Sequence, residues 1–244
     1  MNIYQHIIKK SAEGKKQFAI LIDPDKENED SLETLCEFAN QYKVDYLFVG
    51  GSLLTQDCLS DCIEVIKLHT EIPVVLFPGD NLQINSHADA ILFLSLISGR
   101  NPDLLIGKHV ISAPILKDAG LEIIPTGYML IDGGTPSSVS YMSNTTPIPA
   151  NKRDIAVCTA MAGEMLGLKL IFMDAGSGAL NPVSEAVVSA VKKSIDIPLI
   201  IGGGVKSAEK ASALFDAGAD VVVVGNAIEG NKELIGEIAA VIHK

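Results

Sequence analysis

Short runs of apolar, mostly β-branched residues alternate along this chain with amphipathic stretches, and one period repeats from end to end. The runs fall at residues 18–22, 46–49, 74–77, 90–94, 121–125 (running on towards 130), 170–173, 199–201 and 221–224. They are apolar almost throughout, without the alternation of a half-exposed strand, and so predict a parallel sheet covered on both faces. Helical spacing predicts helices at 30–41, 56–69, 102–117, 154–166, 183–193, 207–217 and 232–242. Asn101-Pro102 and Asn181-Pro182 each set a capping residue ahead of proline, and Gly167 and Gly218 stand just past helix ends. Eight strands with intervening helices in 244 residues is the arithmetic of a single α/β domain, a (β/α)8 TIM barrel spanning 1–244. An open doubly wound sheet is the alternative.

Two segments break the period. Between Phe77 and Ala90 the chain is too short for an ordinary crossover helix, so the third helix is expected to be missing or replaced. Between Asp132 and Asp154 runs a stretch rich in Ser, Thr, Pro and Gly, which reads as a lid or binding loop.

Composition narrows the function. With 48% hydrophobic residues and a mean hydropathy of +0.30, the chain buries a large core. Nineteen Lys and Arg against 30 Asp and Glu leave a net charge of −11, and basic residues are nowhere clustered, which argues against nucleic acid as a partner. Cys36, Cys58, Cys62 and Cys158 form no CxxC pair and read as free thiols of a reducing, cytoplasmic compartment. The first residues carry no secretory h-region, and no apolar run approaches a bilayer span. His6, His69, His87, His109 and His243 are scattered, and read as surface or packing residues rather than a metal cluster.

In a parallel barrel, chemistry collects at the carboxyl ends of the strands. There stand Asp23-Pro24-Asp25-Lys26, Gly50-Gly51-Ser52, Pro78-Gly79-Asp80, Thr126-Gly127-Tyr128 leading to Asp132, Asp174-Ala175-Gly176-Ser177-Gly178, Gly202-Gly203-Gly204 and Gly225-Asn226. Glycine turns after the last three strands predict a phosphate site built from backbone N–H groups. Asp23 and Asp25, with Ser52, offer hard oxygen ligands suited to Mg²⁺; the competing reading has Asp23 cap a turn before Pro24 and Asp25 cap the next helix. Lys26 or Arg100 would add counter-charge for anionic ligands. Tyr128 is expected either to line the site or to pack within the barrel.

The segments LIDPDK (21–26), FVGGS (48–52), PTGYMLIDGGTPSSV (125–139), NTTPIP (144–149), MDAGSGA (173–179), IGGGV (201–205) and VVGNAIE (223–229) follow one another in order. Together they resemble the geranylgeranylglyceryl phosphate synthase family, which includes heptaprenylglyceryl phosphate synthases. The resemblance implies a Mg²⁺-dependent prenyltransferase that joins the sn-3 hydroxyl of sn-glycerol 1-phosphate to a polyprenyl diphosphate, geranylgeranyl diphosphate foremost, and releases diphosphate. It implies metal ligands at Asp23 and Ser52. Glycerol-phosphate contacts are implied at Phe172, Met173, Asp174, Ala175, Gly176, Ser177, Gly178, Gly203, Gly204, Gly225 and Asn226. The family more often has Tyr-Leu-Glu where this chain has Phe172-Met173-Asp174, so the carboxylate implied to deprotonate the attacking hydroxyl is one methylene shorter here. The resemblance further implies a homo-oligomer, and a lipid product implies transient contact with a membrane surface. Read from the residues alone, a phosphosugar isomerase or aldolase and a non-catalytic phosphate-binding protein remain open.

Overall fold

The computed structural model describes residues 2–242, which leaves His243 outside. Eight parallel strands close into a barrel, in the order β1 (Gln17–Ile22), β2 (Tyr46–Val49), β3 (Val74–Leu76), β4 (Ala90–Leu96), β5 (Glu122–Leu130), β6 (Leu170–Asp174), β7 (Leu199–Gly202) and β8 (Val221–Val224). Closure is made by β1 pairing with β8, Gln17 opposite Val221, so the open-sheet alternative falls away. Around the barrel lie α2 (Glu29–Gln41), α3 (Leu59–His69), α4 (Lys108–Ala119), α6 (Arg153–Met165), α7 (Glu185–Lys192), α8 (Ala208–Asp216), the short α9 (Asn226–Gly230) and α10 (Leu234–Ile242).

Each strand buries both faces, for two different reasons. Tyr46, Phe48, Val75, Leu92, Phe172, Ile200 and Val223 point inward and fill the barrel. Their neighbours Leu47, Val49, Leu76, Ile91, Met173, Ile201 and Val222 pack outward beneath the helices. The period-two geometry of a strand makes this division. Ahead of three strands an aspartate accepts an N–H from the start of the adjoining strand: Asp45 from Phe18 (2.8 Å), Asp89 from Val74 (2.7 Å) and Asp220 from Leu199 (2.8 Å). Part of the acidic excess is thus built into the amino-terminal end of the barrel, away from the chemistry.

The sequence pattern gave no sign of α1 (Ile3–Ala12), which closes that same end. Its Ile3 and Ile7 reach into the barrel core, and the N–H groups of Ile3 and Tyr4 donate to the Glu122 carboxylate. The 102–117 helix divides into a π-helical turn (Asp103–Gly107) and α4, with Asn101 capping Asp103 N at 3.1 Å. Asn181-Pro182 does not start a helix; α7 begins later, behind Ser184. Thr126–Tyr128 lies inside β5 rather than after it, because β5 runs on to Leu130.

Between β3 and β4 the described residues form no helix, as the spacing predicts. Buried Gln83 holds the segment in place instead. Its amide nitrogen donates to Gly51 O (2.8 Å), and its amide oxygen accepts from Gly79 N (3.2 Å) and Gly51 N (3.3 Å). The 133–153 stretch is not without structure: it carries α5 (Ser138–Ser143), started by a reciprocal Ser137–Ser140 capping box.

Candidate active site

At the carboxyl end of the strands lies a cavity of about 310 Å³. Of the residues singled out in the sequence, Asp23, Ser52, Phe172, Asp174, Gly176, Ser177, Gly178, Gly203, Gly204, Gly225 and Asn226 line it. Met173 and Ala175 do not. Strand alternation turns Met173 out into the core beneath the helices, and buried Ala175 packs there too.

Asp25 also turns away. Its carboxylate accepts from Thr55 N (2.6 Å), Thr55 Oγ1 (2.8 Å) and Gln56 N (3.3 Å), and these bonds, the Thr55 N–H first, hold its carboxyl below the usual range. It ties the loop after β2 to the loop after β1 and does not line the cavity, nor does it cap α2, whose cap is Asn28. Asp23 caps the short turn Pro24–Lys26, accepting Asp25 N at 3.3 Å, and still presents its carboxylate to the cavity. Lys26 Nζ bridges Asp23 and Glu229, each at 3.2 Å. Burial alone would lower the Lys26 pKa, but these two carboxylates outweigh it and raise it. Lys206 is a second cation on the wall, which the sequence reading did not single out. Arg100 bonds Gly99 O at 2.7 Å and does not reach the cavity.

The glycine turns are shaped for close approach. Gly203 and Gly204 both have left-handed φ, +77° and +69°. A Cβ on Gly203 would stand 2.4 Å from Asp174 Oδ1 and 2.7 Å from Gly176 N, so only glycine fits. Consecutive residues of this kind form concavities that present backbone N–H groups to anions. Ser177 Oγ donates to Asn226 Oδ1 (2.8 Å), joining the loops after β6 and β8.

Asp174 is the buried acid of the site. Gly176 N donates to its Oδ1 (2.7 Å) and the Tyr128 hydroxyl to its Oδ2 (2.5 Å). Burial pushes its pKa up, and the two hydrogen bonds pull against that shift. Burial and the adjacent Asp174 charge push the Tyr128 hydroxyl far above its ordinary range, so it stays a donor. Tyr128 therefore both packs in the barrel and lines the site.

A second cavity, about 400 Å³, runs outward where the third helix is missing. Leu53, Leu54, Leu82, Leu94, Leu96 and Leu104 are among its lining residues, and it shares Ser52, Phe77, Tyr128 and Val139 with the first. A glycine-rich chamber and a groove lined by leucines, with Asp80, Asp103 and Lys108 also on its wall, thus meet beside the Asp174–Tyr128 pair. Val139 belongs to α5, so that short helix covers the junction.

The thiols take no part. All four cysteines are free, and burial pushes Cys36 to about 11 and Cys62 to about 12. His109 is buried, edge-on to Phe93 with ring centroids 4.5 Å apart. Among the described residues no three His, Cys, Asp or Glu side chains form a metal cluster.

A model of the PcrB family matches residues 10–242. The chain belongs to the PcrB family. It is 56% identical over 241 residues to the geranylgeranylglyceryl phosphate synthase of Chitinophaga pinensis, covering 99% of this chain and 96% of that one. The Spirosoma linguale protein of the same name is 53% identical, over 95% of this chain and 93% of its own. The crystal structure of the Thermoplasma acidophilum (S)-3-O-geranylgeranylglyceryl phosphate synthase, bound to its substrate sn-glycerol-1-phosphate, superposes with a TM-score of 0.93 at 32% identity, covering 100% of this chain and 98% of that one. This PcrB chain thus shares its full barrel with a solved synthase, and nearly its full length with curated relatives, of one enzymatic name.

Proposed function

We propose that this protein is a prenyltransferase that joins the sn-3 hydroxyl of sn-glycerol 1-phosphate to a polyprenyl diphosphate, forming an ether and releasing diphosphate. The observation that carries the reading is the junction of the two cavities. A glycine-lined chamber suited to a phosphorylated glycerol opens, beside a buried carboxylate, into a second cavity whose leucines suit a prenyl tail. A phosphosugar isomerase would need the chamber and have no use for the groove.

Asp23 and Ser52 fit a magnesium ion. Both are hard oxygen donors on the same wall, and Gly51, next to Ser52, comes close enough that a Cβ there would be 3.6 Å from Asp23 Oδ1. Magnesium held by one or two protein oxygens is completed by substrate phosphate oxygens. When bound, magnesium neutralises the diphosphate as a leaving group.

The turns at Gly176–Gly178, Gly203-Gly204 and Gly225-Asn226 hold the glycerol phosphate, and Lys206 adds charge on the same wall. Holding both reactants at one junction supplies the orientation that a bimolecular encounter in water lacks. The C1–O bond of the allylic diphosphate breaks with its electron pair going to diphosphate. A lone pair of the glycerol oxygen makes the new C1–O bond, and its proton passes to Asp174, held in place by Tyr128. Lys26, paired to Asp23, adds positive charge on the wall that faces the diphosphate. A lipid product needs a bilayer to receive it, so the reading includes transient contact of a cytoplasmic enzyme with a membrane surface.

Diphosphate release on mixing the purified protein with Mg²⁺, geranylgeranyl diphosphate and sn-glycerol 1-phosphate tests the proposal. Release is expected to be one-for-one with ether lipid, to stop with chelator, and to need at least about tenfold more Mg²⁺ in Asp23→Asn. Binding of glycerol phosphate without any release would overturn it.

A further inference from the structure

We infer that Phe77, backed by Phe172 and Tyr128, stabilises the positive charge that develops on the allylic carbons as diphosphate leaves. The inference rests on the prenyl-transfer reading above and adds residues to it. Phe77 and Phe172 stack with ring centroids 5.0 Å apart and an interplanar angle of 21°. The Tyr128 ring stands 5.9 Å from Phe77 and 5.7 Å from Phe172. Phe77 and Tyr128 line both cavities, so the cluster lies where head group and tail must meet. Phe77 is half-buried whereas the other two rings are buried, which makes it the ring most open to an occupant.

Heterolysis spreads positive charge over C1 and C3 of the prenyl chain. An aromatic face attracts the cation through its quadrupole and forms no bond to it. The leucines of the groove can solvate a tail but carry no quadrupole. In the step itself both electrons of the C1–O bond leave with diphosphate, the glycerol oxygen supplies the pair for the new bond, Asp174 takes its proton, and the rings are unchanged. Phe172 has no hydroxyl to turn toward a polar partner, which leaves it free to back Phe77.

The test replaces Phe77 with 4-fluoro-, 3,5-difluoro- and 3,4,5-trifluorophenylalanine, which nearly preserve shape while draining the ring's negative face. Single-turnover rates at saturating substrates isolate the chemical step, with melting temperature as a check on folding. The expected result is a stepwise fall reaching about tenfold at the trifluoro ring, with the KM for glycerol 1-phosphate unchanged. The same series at Phe172 is expected to give a weaker slope. A flat series at Phe77, with wild-type protein still making ether lipid, would overturn the inference and leave the prenyl-transfer reading intact. No lipid from wild-type protein would overturn that reading itself.

Discussion

Asp174 is held between opposed influences: burial favours its neutral form, and the Tyr128 hydroxyl and Gly176 N–H favour its charge. As the base it must be ionised, so the rate is expected to fall on the acid side along a limb lying above the ordinary carboxylate range. A pH–rate profile checks this. Tyr128→Phe removes one bond that favours the charge and is expected to move that limb to higher pH. Asp174→Asn is expected to cut kcat by about 10²–10⁴-fold while glycerol phosphate still binds. The sign for stability is opposite. A carboxyl whose pKa is raised by folding contributes stability below its unfolded pKa and loses it as pH rises through the folded one. Asp174→Asn, which keeps the shape and removes the charge, is therefore expected to melt higher than wild type at neutral pH, with the gain shrinking toward acid pH. Equal melting temperatures at both ends would contradict the burial account.

Among elements, the glycine turns separate space from backbone strain. Gly178 is left-handed (φ +75°) with nothing within 4 Å of an added Cβ, whereas Gly203 is left-handed and crowded by Asp174 and Gly176. Gly178→Ala is expected to cost only the left-handed strain, about 1–2 kcal/mol by denaturant titration. Gly203→Ala is expected to cost more and to abolish glycerol-phosphate binding by calorimetry. For α5, Ser137→Ala removes a capping box and is expected to cost the lid helix about 1 kcal/mol. Val139 is then less firmly held over the junction, so KM for both substrates should rise with little loss of overall stability.

At the scale of the whole molecule, the barrel was legible because its strands bury both faces and so stand out as unbroken apolar runs. The missing third helix was legible as a simple shortage of residues between Phe77 and Ala90. What fills that gap was not, because Gln83 works through Gly51 and Gly79, contacts that exist only once β2 and β3 are side by side. The α1 plug was missed for a similar reason: its short apolar stripe has meaning only against the barrel floor. The α5 helix hid in a Ser- and Thr-rich segment that composition assigns to loop. At the site, the strand-end glycines and carboxylates could be read in sequence, whereas Met173 and Ala175 came in as part of a contiguous motif. Period two along β6 was the signal that would have set Met173 aside. Lys206 follows the Gly203-Gly204 turn by two residues, and only the folded wall shows that it lines the chamber.

The central claim is that chamber and groove serve one reaction. Its most direct measurement is incubation of the protein with Mg²⁺, radiolabelled sn-glycerol 1-phosphate and a ladder of polyprenyl diphosphates, followed by extraction for labelled lipid. The account predicts label in the lipid phase, strongest for the chain length that the groove accommodates. Label left wholly in the aqueous phase at every chain length, with glycerol 1-phosphate still bound by the protein, would contradict it.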